Sequence, residues 1–138
     1  MSGFEFQDPE QAYTFLALRG PSEYPMNQGD VVTNRGHRMT ASEFEHHFHE
    51  EQVPYSNALH CTLNGQFYLI GPLARFALNQ DQLSALIKEV FQITSFVPTF
   101  NRASMGFVAR WVEVLYAFDE ALRLIQNYET PRDPAVPV

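Results

Sequence analysis

Seven ionisable side chains crowd one short stretch: Glu43, Glu45, His46, His47, His49, Glu50 and Glu51. On a helix, His46/Glu50 and His47/Glu51 stand at i, i+4, the spacing that sets two metal ligands on one face. The segment HFHEE lacks the two histidines four apart, with an intervening glutamate, of the HExxH pattern. A solvated helix face with weak His/Glu pairs is the plainer reading, with a His/Glu metal site as the alternative. Cys61 lies between His60 and Thr62 in a predicted strand. Neighbours along a strand point to opposite faces, so His60 is badly placed to activate the thiol, and Cys61 reads as a buried structural residue. Gly71-Pro72 followed by Arg75 lacks the Gly-rich run and the Lys-Ser/Thr pair of a phosphate loop. No residue is assigned a catalytic, cofactor-binding or metal-ligating role.

The elements that would position these groups begin with an arm from Met1 to Glu10, in which Phe4 and Phe6 alternate as in a short edge strand. Tyr13 to Leu18 is strand-like and ends at Arg19-Gly20-Pro21. Val31-Val32-Thr33 is a second short strand, and Asn34-Arg35-Gly36 turns the chain back into His37 to Met39. Thr40 and Glu43 have the capping-box spacing, with Met39 and Phe44 placed for a hydrophobic staple. That cap predicts a helix from Ala41 to Glu51, with Phe44 and Phe48 stacked on its buried face and Pro54 as its stop.

Asn57 to Leu63 and Gln66 to Ile70 flank Asn64-Gly65, a dipeptide that favours the positive φ angles of a type I′ turn, and so predict a β-hairpin. Leu73 to Leu78 predicts a short helical turn. Asn79 or Asp81 is placed to cap a helix reaching Gln92. Asn101 to Tyr128 has no proline and one internal glycine, Gly106, and predicts a helix of about seven turns. Arg110, Glu113, Glu120, Arg123 and Asn127 draw one polar stripe along it, read as the wet edge. Apolar residues fill most of the remaining circumference, as in a helix that runs through a core or an interface. Three prolines from Pro131 onward predict an extended tail.

The expected fold class is α+β: antiparallel strands with a hairpin in the first half, then helices dominated by one long central helix. We expect a single domain over 1–138, strand-rich with one short helix to residue 72, helical over 73–128, and extended over 129–138. The formal charge of −7 argues against a nucleic-acid backbone or an anionic membrane surface as partner. One cysteine excludes an internal disulfide and fits a reducing, cytoplasmic setting. No leader and no membrane-spanning run are read from the chain. The apolar excess on the long helix predicts a homo-oligomer, with a fold-back of Phe4 and Phe6 over the helix as the competing arrangement.

Three stretches add a resemblance. EHHFHEEQVPYSNALH (Glu45 to His60), YLIGPLARFALN (Tyr68 to Asn79) and the helix from Asn101 to Ile125 resemble, in order and spacing, segments of the nickel–iron hydrogenase large subunit. The cytoplasmic NAD- or cofactor-coupled group is the closest in pattern, with YLVGPLARxNLN and, along the helix, RxVExLYAxxEALRLI. The helix matches at Asn101, Ser104, Arg110, Val112, Glu113, Leu115, Tyr116, Ala117 and Glu120 through Ile125, and departs where Arg102 replaces the family's proline. That family holds its nickel and iron on RxCGxC and DPCxxCxxH motifs, and neither is present here. The resemblance therefore implies a central, scaffold segment of a dihydrogen-oxidising subunit. Its nickel–iron centre and its iron–sulfur small subunit partner belong to the parent complex.

Overall fold

The computed structural model describes residues 8–130. Strands β1 (Leu16–Arg19), β2 (Asp30–Thr33) and β3 (Arg38–Met39) form an antiparallel sheet in chain order. Leu16 faces Thr33 and Val31 faces Met39 across it. Helix α1 (Phe44–His47) follows a 3-10 turn over Ala41–Glu43, and β4 (Phe48–Glu51) pairs antiparallel with β5 (His60–Leu63). Among the described residues three helices follow: α2 (Pro72–Asn79), α3 (Ala85–Thr94) and α4 (Met105–Gln126). The fold is α+β, with the long helix last. No helix among the described residues is long and apolar enough to cross a membrane.

The main core gathers Phe15, Tyr24, Leu73, Phe76, Ile87 and Val112 between the first sheet and the helices. A smaller core holds Met39, Phe48 and Leu63 between the two sheets. Within the main core Phe100 meets Phe76 edge to face, with ring centroids 5.3 Å apart.

The capping pair forms where the sequence places it. The Thr40 backbone N–H and hydroxyl both donate to Glu43 Oε2 at 2.8 Å. Thr40→Ala is expected to cost about 1 kcal/mol through the lost hydroxyl. An unchanged urea midpoint would show that the turn starts without it.

The helix predicted from Ala41 to Glu51 is corrected: it ends at His47, and Phe48–Glu51 is strand β4. Phe48 there faces Leu63 and is buried, and the β4–β5 ladder satisfies backbone groups that further helix would have satisfied internally. Phe44 and Phe48 still stack across the junction, centroids 4.0 Å apart.

The predicted turn forms, and only the second strand of the hairpin, Gln66 to Ile70, is corrected. Asn64 (φ 48°) and Gly65 (φ 75°) make the two-residue turn, and Leu63 and Gln66 exchange both backbone hydrogen bonds at 2.9 Å. The second arm then leaves the ladder. Leu69 donates to the Thr14 carbonyl at 2.7 Å and accepts from Leu16 at 2.9 Å, so it extends the first sheet alongside Phe15. β5 takes β4 as its partner instead.

The helix expected after Asn79 or Asp81 begins only after Ser84. Both proposed caps are committed elsewhere: the Asn79 amide bonds the Leu18 carbonyl, and Asp81 pairs with Arg19. Phe4, Phe6 and the proline-rich end from Pro131 lie outside the described residues.

Candidate functional site

Arg75 on α2 and Glu113 on α4 form the most buried ion pair among the described residues. Arg75 Nε donates to Glu113 Oε1 at 2.6 Å and Nη2 to Oε2 at 2.8 Å, a two-pronged fork matched to the carboxylate. The Tyr24 hydroxyl donates to the same Oε1 at 2.8 Å. Glu113 is only 8% exposed and Tyr24 3%. Burial, and then the Glu113 charge, push the Tyr24 hydroxyl far above its ordinary range. The same carboxylate raises the Arg75 guanidinium above its already high value.

Local sequence explains the placement. Gly71 stands at φ 89° and Pro72 opens α2, where its missing N–H costs nothing. Ala74 and Ala109 are fully buried, and their small side chains suit a close approach of α2 to α4. Arg75 and Glu113 then meet beside that contact. One helical turn on, buried Asn79 donates to the Leu18 carbonyl at 3.0 Å and the Arg75 carbonyl at 2.9 Å. Arg19 returns the link, donating to the Leu78 carbonyl at 2.5 Å and gripping Asp81 through two bonds of 3.0 and 2.6 Å. The stretch Gly71 to Asn79 thus fastens β1 on one side and α4 on the other.

This cluster locks one acid, one base and one phenol into mutual hydrogen bonds. Its chemistry is to orient helices. Arg75 also lines an open, apolar groove with Leu16, Leu18, Met26, Val31 and Ile70.

The residues singled out by sequence are dispersed by the structure. His46 and His47 stay on α1, whereas His49, Glu50 and Glu51 pass to β4 opposite Thr62, Cys61 and His60. The i, i+4 His/Glu faces therefore do not exist. Among the described residues no group of three or more His, Cys, Asp or Glu is arranged to hold a metal ion. Cys61 is half-buried against the smaller core rather than enclosed. Beside it, burial and then the thiol's hydrogen bond push the Tyr68 hydroxyl up to about 12. His60 packs edge-on against Tyr55, centroids 5.6 Å apart.

Glu113 and Tyr24 escaped the sequence reading. The polar stripe puts Glu113 on the wet edge of the long helix. Instead it faces the core with Ala109 and Val112, while Trp111 and Phe118 on the apolar side are exposed. Of the polar stripe only Glu113 turns inward, while Arg110 stays exposed. Apolar residues on most of a helix circumference remove the contrast that shows which side is buried. The available signal was Ala109, a small residue beside the stripe where a neighbouring helix can approach.

Comparison with protein-family models, curated proteins and solved structures finds no match for this chain.

Proposed function

We propose that this chain is a scaffold segment of a nickel-dependent hydrogenase large subunit, whose parent reaction is the reversible oxidation of dihydrogen. The observation that carries this reading is the buried fork between Arg75 and Glu113. Arg75 belongs to GPLAR and Glu113 to the long RxVExLYA-like helix, the two most specific stretches of the resemblance. A shared motif whose members bond one another is what a scaffold role requires.

The residues present do not fit a nickel–iron centre. Such a centre needs several thiolates, and the chain's one cysteine sits half-buried on β5, opposite Glu50 of β4. The segment's part is therefore positional: α2 and α4 hold the geometry on which metal-bearing parts of the parent subunit would rest. On this reading the parent is cytoplasmic and works with an iron–sulfur small subunit.

The isolated chain is expected neither to reduce a viologen dye with dihydrogen nor to carry stoichiometric nickel by plasma emission. Either activity or one nickel per chain would overturn the assignment. DNA flanking the coding segment is expected to continue in frame to RxCGxC upstream and DPCxxCxxH downstream. A second reading, a free-standing interaction module on the same scaffold, is favoured by the exposed apolar side of α4. Start and stop codons bounding the segment, with no such motifs beyond them, would select it.

A further inference from the structure

We propose that the outer side of α4 is a dimer seam, on which a second copy of this chain lays its own α4 antiparallel. Phe107 is 69% exposed, Trp111 73%, Phe118 69% and Ile125 71%. At the area an aromatic side chain typically buries, the three rings alone leave about 300–500 Å² of apolar surface in water. Val114 and Leu122, also exposed, bring the face close to the roughly 800 Å² that a standard interface takes from each partner. The largest apolar patch on a typical monomer covers about 300–600 Å².

Spacing identifies the occupant. Trp111, Phe118 and Ile125 recur every seven residues, with Phe107, Val114 and Ala121 between them, also seven apart. That is the seam of a coiled coil, and it fits a helix rather than a loop or a sheet. An antiparallel copy related by a two-fold axis near Tyr116 sets Trp111 against the partner's Ala121, Phe118 against the partner's Val114, and Phe107 against the partner's Ile125. Each bulky ring then meets a smaller side chain, twice over by symmetry. A parallel copy would instead stack Trp111 on Trp111 and Phe118 on Phe118, and would align the two helix dipoles unfavourably. Each chain carries a formal charge of −7, so apolar burial rather than charge must drive the pairing. The seam is independent of the hydrogenase reading, since it needs only this chain and its exposed helix.

The test uses the full chain and its single tryptophan. Light scattering at tens of micromolar is expected to give the dimer mass, and Trp111 emission is expected to shift to the red as dilution produces monomer. Phe118→Glu, which places two carboxylates beside the axis, is expected to weaken dimerisation by about a hundredfold or more. Ala121→Trp is expected to weaken it by filling the slot opposite Trp111. Phe67→Glu, on an equally exposed ring away from α4, is expected to leave it unchanged. Circular dichroism confirms that each variant stays folded.

A spin label at Gln126, with Cys61 replaced by serine, reports direction. The antiparallel seam sets the two labels about 30 Å apart, from the rise per residue along each helix. A short separation means parallel pairing and overturns the arrangement. A wild-type monomer at every concentration overturns the seam, whether Trp111 emits as exposed or as covered by its own chain. So does a dimer that both α4 variants leave intact.

Discussion

Replacing Glu113 with alanine is expected to destabilise the fold by about 3–5 kcal/mol, because it removes one partner of a buried pair and strands the other. Arg75 would keep its charge with a quarter of its side chain in water, and the Tyr24 hydroxyl would lose its acceptor in the core. The loss is expected as a lower urea midpoint with an unchanged slope, the sign of reduced stability without a change in the denatured state. Glu113→Gln retains an acceptor for Tyr24 and should fall between wild type and alanine. The triple variant Arg75→Leu, Glu113→Leu, Tyr24→Phe removes every polar member together. Apolar replacement of a whole buried cluster is often close to neutral, so most of the stability should return. A triple variant as weak as Glu113→Ala would mean that shape at the α2–α4 contact, and not the stranded charge, dominates. The pair then contributes orientation more than stability: only one rotation of α4 about its axis brings Glu113 to Arg75.

What the sequence disclosed depended on the range of the interactions involved. The Asn64-Gly65 turn and the Thr40/Glu43 cap are settled by neighbours within three residues, and both are present. The long helix was readable because its interior holds no proline. The end of α1 was not readable. Ala41 to Glu51 is locally compatible with helix, and only Leu63, fifteen residues beyond Phe48, offers the strand edge and apolar partner that stop it. Asn79 and Asp81 have good capping chemistry, yet bonds to Leu18 and Arg19 about sixty residues away claim both. The candidate site is of this second kind. GPLAR and the helix were both marked by the resemblance, but nothing local announced that Arg75 would reach Glu113. The exposure of the rings on α4 follows from the same contact. Once Arg75 and Tyr24 draw Glu113 inward, the ring-bearing side has to face out.

Gly29→Ala is expected to be comparably damaging, at about 3–5 kcal/mol, from backbone strain added to overpacking. Gly29 precedes β2 with φ at 138°, a region L-residues rarely adopt. A Cβ there would lie 2.6 Å from the carbonyl carbon and oxygen of Arg19 and 2.9 Å from the Gly20 nitrogen. These are backbone atoms at the end of β1, so no side-chain rotation relieves the clash, and the β1–β2 pairing of Arg19 with Asp30 must open. Gly65 provides the control. Its φ is also positive, at 75°, but nothing lies within 4 Å of the position a Cβ would take. Gly65→Ala should therefore cost only the conformational strain, about 1 kcal/mol. Opening at Gly29 also moves Arg19 away from Asp81 and the Leu78 carbonyl, loosening α2 from the sheet. Hydrogen exchange in Gly29→Ala should therefore quicken in β1, β2 and α2 together, while β4 and β5 keep their protection. Equal losses at Gly29 and Gly65, or exchange confined to the loop before β2, would show that the close backbone approach is not what holds these elements in register.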